Sequence, residues 1–206
     1  MSQHATPPDP VPEITFYLDV VSPYAYLAFE RLPQALEGLS YRVTYQPLLF
    51  AGLLKAWGTP APVDLPPKRE WIFRQSAWIA DRDGVPFAKP HNHPFNPLAL
   101  LRLALACAPA GQAPNRQAVE QVMRHAWARE GQDPNEPAAL QALAQRMAPR
   151  RDPNGAEVKA ELHAITARAV AQGVFGVPSL VLDGEVFWGQ DALTMLAHRL
   201  QARVSP

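Results

Sequence analysis

Ser22 is the residue best placed to do chemistry. It closes the run ITFYLDVV (14–21) and stands directly before Pro23 and an apolar helical pattern of Tyr26, Leu27, Phe29 and Leu32. A chain that passes from a strand straight into a helix leaves backbone N–H groups unpaired at the helix start, where the helix dipole is positive. Such a corner stabilises an anion without any charged side chain. Ser-Pro is also an ordinary N-cap and N1 pair, so the dipeptide by itself requires no function. Dithiol–disulfide exchange is excluded: the tetrad Ser22-Pro23-Tyr24-Ala25 holds no cysteine, and Cys107 is the only one in the chain. A hydroxyl here can still donate a hydrogen bond to a thiolate brought by another molecule.

Other candidate groups have less specific patterns. His91-Asn92-His93 sets two imidazoles close together, but no second ligand cluster accompanies them, so no metal site is expected. The stretch PFAKPHNHPFNP reads as a loop over the site, where His93 could touch substrate. Lys55 is a substrate contact or a solvated lysine, and Tyr24 and Tyr26 line the site or simply pack. Trp71, Phe73 and Trp78 read as helical core. His125, His163 and His198 fall on expected helices without a nameable partner. Cys107, inside LRLALACA, reads as a packed, inert thiol.

The elements that must position these groups come in a definite order. ITFYLDVV (14–21) and YRVTYQPL (41–48) read as strands around the first helix. From about 66 to 172 the patterns are helical, with one helix carrying Trp71 and Trp78 and others at 96–108, 115–130, 136–148 and 155–172. Strands return as SLVL and EVFW around the turn Asp183-Gly184, before a closing helix from about Asp191. This βαβ…ββα order predicts an α/β, thioredoxin-like fold with a large all-helical insertion. Its first two strands are parallel and its hairpin antiparallel. The expected division is a disordered tail at 1–12, a discontinuous thioredoxin-like domain at 13–65 and 173–206, and a helical insertion domain at 66–172. In such a fold G-V-P-S before a strand marks a cis proline facing the first helix, although only ~5–6% of X-Pro bonds are cis in general. Val177, before Pro178, would then offer its backbone N–H and C=O to an extended peptide.

Composition bounds the partners. The 206 residues are 48% hydrophobic and carry 19 basic and 19 acidic side chains, so neither nucleic acid nor an anionic membrane is indicated. Arg102 interrupts the best apolar run, and MSQHATPPDPVPE lacks the basic and apolar regions of a signal peptide. The expected setting is the cytoplasm. Proline, at 23 residues, is about twice as frequent as usual.

From about 14 to 200 the chain resembles the 2-hydroxychromene-2-carboxylate isomerases and their relatives, the kappa-class glutathione transferases, within the DsbA-like thioredoxin superfamily. The matching phrases are FYLDVVSPYAYLA, LLFAGLLKAWG, Pro67-Lys68, HPFNPLALLRL and VFGVPSLVLDGEVFWGQDAL. The resemblance implies a DsbA/kappa-transferase type of fold, glutathione as cofactor and a small aromatic-derived substrate. It implies that Ser22 is catalytic, favouring glutathione's thiolate by a hydrogen bond to sulfur. Val177, beside Pro178, would pair with the tripeptide backbone. Trp188, Gly189, Gln190 and Asp191 would hold the γ-glutamyl end, with Asp191 accepting from its ammonium, and Lys68 would sit near the glycyl carboxylate.

Two departures bear on affinity. Many relatives have Gly-Asn where this chain has Gly58-Thr59, and Thr59 lacks the amide's dual donor and acceptor capacity. Where kappa enzymes and many isomerases follow the aspartate with arginine, this chain has Ala192, which forgoes a charge-assisted hydrogen bond worth roughly 1.5–3 kcal/mol. The implied activity is glutathione-dependent isomerisation of 2-hydroxychromene-2-carboxylate, or a related oxo acid of aromatic compound catabolism, to the trans-benzylidenepyruvate. A kappa-type glutathione transferase or peroxidase and a non-catalytic thioredoxin-fold binding protein compete with it. Relatives of this kind are often dimers, so a homodimer is open to the chain.

Overall fold

A computed structural model describes residues 11–129 and 132–203. The tail expected at 1–12 lies, apart from Val11 and Pro12, outside the described residues. Strands β1 (Glu13–Leu18), β2 (Arg42–Pro47), β3 (Ser179–Leu182) and β4 (Glu185–Trp188) form one sheet in the order β2-β1-β3-β4. β1 runs parallel to β2, with Phe16 opposite Tyr45, and antiparallel to β3, with Phe16 opposite Leu180. β3 and β4 form the expected hairpin. Asp183 and Gly184 both have positive φ, 53° and 81°, which matches a two-residue turn of the primed type.

Helix α1 (Pro23–Ala35) connects β1 to β2, as expected for a parallel pair. The helical block contains α3 (Pro66–Asp83), α4 (Leu98–Ala106), α5 (Arg116–Trp127), α6 (Pro137–Met147) and α7 (Ala156–Ala171), and α8 (Leu193–Gln201) closes the described chain. Helix α2 (Phe50–Trp57) lies in a stretch for which no element was expected. Its N-cap, Leu49, has no capping side chain, and the Phe50 N–H instead donates to Asp19 Oδ2 at 2.8 Å. α1 packs on α3, α5 and α8, while α2 and α4 pack on α7. One contiguous cluster of buried side chains runs from the sheet through α1, α4, α5, α7 and α8.

β1 stops three residues short of the strand expected at 14–21. Asp19 is the reason: its Oδ1 accepts Val21 N–H at 3.0 Å and its carbonyl accepts Ser22 N–H at 3.1 Å, so the chain turns instead of extending. The tryptophans of α3 are also corrected. Phe73 is buried, but Trp71 and Trp78 are 51% and 58% exposed, each with an arginine, Arg74 and Arg82, stacked over its ring. The buried stripe of α3 is instead Ile72, Phe73, Ser76, Ile79 and Ala80. A seven-residue spacing shows that two side chains share a face, not which face the core takes.

Candidate active site

Ser22 has the extended backbone of an N-cap (φ −92°, ψ 118°), and its Oγ accepts Ala25 N–H at 3.2 Å. The same hydroxyl donates to Val177 O at 3.4 Å, a long bond that holds its proton weakly. Pro23 removes one orphan donor of the first helical turn, and Ser22 satisfies another. Tyr24 N–H meets no acceptor among the described residues, so a backbone donor remains open at the helix start.

The turn that presents Ser22 is held at each residue. Asp19 binds Val21 N–H, as above. Trp127, fully buried on α5, donates Nε1–H to Val20 O at 2.7 Å. His93 donates Nε2–H to Val21 O at 2.9 Å. Its ring meets Phe73 edge-on at 4.9 Å and lies 5.7 Å from Trp127. Burial pushes the His93 imidazole below its ordinary range; the Val21 carbonyl opposes this, and the positive charges of Lys89 and Arg69 add to it. Asp19 is fully buried, and desolvation raises its carboxyl to about 7 against the pull of its two backbone N–H partners.

On the other side of Ser22, the Val177-Pro178 bond is cis. Pro178 O accepts Gly189 N–H at 2.9 Å, which brings the 188–191 segment alongside. Val177 N–H meets no acceptor among the described residues. Trp188 is exposed, and its indole covers Gly176 so closely that a Cβ there would overlap it. Gly189, at φ +102°, lies against the Asp191 carboxylate. Asp191 is near enough to raise the Tyr24 phenol further, beyond the effect of burial. Tyr24 donates to Gln75 Oε1 at 2.5 Å, tying α1 to α3.

Ser22, Val177, Pro178, the 188–191 segment, Tyr24 and His93 are thus brought together. Lys55 and Thr59 are exposed, on α2 and just after it, and Lys68 is exposed in the first turn of α3. Their side chains make no hydrogen bond or ion pair among the described residues.

Arg31 was not foreseen. Its guanidinium bonds both Gln190 Oε1 and Gln190 O, the latter at 3.4 Å, and pairs with Asp83 at 2.6 Å. A cation therefore reaches the 188–191 segment from α1, although position 192 carries alanine. Asp19 and Trp127 were missed as well. An aspartate inside an otherwise apolar run was the available signal for the first; nothing local marked the second.

Residues 13–201 match the DSBA-like thioredoxin domain. The chain belongs to that family. Glutathione S-transferase kappa 1 of Rattus norvegicus is 26% identical over 208 residues, covering 93% of this chain and 92% of its own. A 2-hydroxychromene-2-carboxylate isomerase of Pseudomonas putida is 26% identical over 192 residues, covering 89% and 91%. The solved structure of a 2-hydroxychromene-2-carboxylate isomerase shares the fold, with a TM-score of 0.79 at 24% identity over 94% of this chain and all of its own. In this DSBA-like domain no described helix is long and apolar enough to cross a membrane. A groove of about 660 Å³ between α5 and α6, lined in part by Glu120, Arg124 and Arg146, includes none of the residues gathered around Ser22.

Proposed function

We propose that the protein is a glutathione-dependent isomerase of 2-hydroxychromene-2-carboxylate, or of a related oxo acid of aromatic catabolism, working in the cytoplasm. The observation that carries this reading is the Ser22 hydroxyl, set at the start of α1 with its proton resting on Val177 O at 3.4 Å. The residues present fit a tripeptide thiol. Ser22 O–H and Tyr24 N–H are donors available to a sulfur anion, Val177 N–H is open, and Asp191 is an exposed carboxylate available to an ammonium.

When bound, glutathione supplies a thiolate whose reversible addition to the conjugated double bond leaves that bond free to rotate. Ser22 turns its proton from Val177 O to the sulfur and, with the α1 dipole, lowers the thiol pKa from its free value of ~8.5. Val177 orients the cysteinyl backbone beside Pro178. Asp191 holds the γ-glutamyl ammonium within the segment Trp188–Asp191, and Lys68 and Thr59 border the thiol's far end. Tyr24, His93 and Lys55 border the substrate. The protein's part is to activate and position.

The test is conversion of 2-hydroxychromene-2-carboxylate with catalytic amounts of glutathione. Turnover without loss of glutathione is expected, falling at least about tenfold in Ser22→Ala, or about 1.4 kcal/mol in the barrier. A second reading, a kappa-type transferase, is favoured by the equal identity to the rat enzyme. Stoichiometric consumption of glutathione on chlorodinitrobenzene, with no isomerisation, would replace the first reading with the second.

A further inference from the structure

The first turns of α3 and the loop between α3 and α4 bring two cations to one aromatic surface. Arg69 and Phe73 are one helical turn apart, so they share a face of α3; Phe73 is buried and Arg69 half-buried. Arg69 Nε donates to Val63 O at 2.8 Å, which fixes its stem, and its two terminal nitrogens have no acceptor among the described residues. Lys89 comes from the loop and sets its Nζ 4.4 Å over the Phe73 ring. That ring meets His93 at 4.9 Å, and His93 binds the carbonyl of Val21, next to Ser22. No carboxylate among the described residues pairs with either cation. Because Nε2 carries the proton given to Val21 O, Nδ1 of neutral His93 is a bare acceptor, buried and unpartnered among the described residues.

One cation over the Phe73 ring and a second on the same face of α3, neither with a carboxylate partner among the described residues, suit a planar, conjugated acid better than a neutral ligand. We propose that Arg69 and Lys89 form a carboxylate subsite over Phe73 and His93, beside Ser22, that selects a conjugated or aromatic acid as the electrophile. The subsite deepens the isomerase reading and rests on it for the thiolate. A carboxylate could also come from the glycyl end of glutathione. The electrophile is the assigned source because Arg69 shares its face of α3 with Phe73, under Lys89 and against His93, whereas Lys68, the group given to the glycyl end, is the neighbouring position on another face of the helix.

The experiment is calorimetric titration of wild type, Lys89→Arg and the double variant Arg69→Gln/Lys89→Gln. The probes are trans-benzylidenepyruvate and its methyl ester, with glutathione titrated separately. Wild type is expected to bind the acid at least about tenfold more tightly than the ester. Lys89→Arg should keep that preference and the double variant should lose it. Glutathione affinity should stay within about twofold throughout. The subsite is overturned if wild type shows no preference for the acid, or if the double variant retains it. It is equally overturned if glutathione weakens as much as the acid, which would give the cations to the glycyl carboxylate. Failure of wild type to bind glutathione would remove the isomerase reading, and the acid–ester comparison would still decide the subsite.

Discussion

The hydroxyl of Ser22 and the carbonyl of Val177, 155 positions apart in the chain, face each other at 3.4 Å across the junction of β1, α1 and the loop before β3. A bond this long contributes little to stability. It does keep the hydroxyl proton pointed at the loop where an extended peptide would lie. The short contacts belong to the scaffold instead: Trp127 to Val20 at 2.7 Å and His93 to Val21 at 2.9 Å. The corner is thus held firmly by its backbone, while its one reactive hydroxyl stays free to change partner.

Arg31 is expected to govern recognition of the γ-glutamyl end through Gln190. Arg31→Ala leaves Asp83 with Arg82, so denaturation should show a change within about 1 kcal/mol for this partly exposed pair. Glutathione affinity should fall about tenfold, while cysteinylglycine, which lacks the γ-glutamyl group, should bind as it does to wild type. Equal loss for both thiols would show that Arg31 acts on the corner as a whole.

Asp19 should give the protein a distinctive pH dependence. Its carboxyl keeps its proton to about 7 in the fold, against 3.8 for an ordinary aspartate. Between those values folding takes up a proton, so this contribution is full below pH 4 and is lost as pH rises through 7, with a slope up to ~1.4 kcal/mol per unit. His93 and His125, held neutral by burial, act in the opposite sense and lose stability as pH falls below 6.5. The quantity to read is therefore the difference between wild type and Asp19→Asn in urea at pH 5 and pH 7. Wild type should lose ground on going to pH 7, and a constant difference would contradict the buried, proton-holding carboxyl.

Trp127→Phe keeps a ring in the stack with Phe87 but removes the donor to Val20 O. An orphaned buried carbonyl costs about 1–3 kcal/mol, so the urea midpoint should fall with the slope unchanged. Unaltered stability would mean that Val20 O finds another donor and that the clamp is dispensable.

Much of this was legible in the chain because the signals were local. Asp183-Gly184 between SLVL and EVFW predicts its own turn, and Ser22-Pro23 predicts its own helix start. The resemblance then supplied candidate roles for Val177 and the 188–191 segment. What escaped depends on contacts between distant positions. α2 starts under a cap supplied by Asp19, 31 residues away, so its own sequence carries no start signal. Trp127 reaches Val20 across 107 positions, and Arg31 reaches Gln190 across 159. The exposed faces of Trp71 and Trp78 were misread because periodicity groups side chains without orienting the group.

The most direct measurement is ultraviolet titration of the thiolate of glutathione bound to wild type and to Ser22→Ala. A bound thiol pKa below that of the free tripeptide, ~8.5, and returning toward it in the variant, is the expected result. If glutathione does not bind, or if the two proteins titrate alike, Ser22 is a helix cap and the proposed mechanism is wrong.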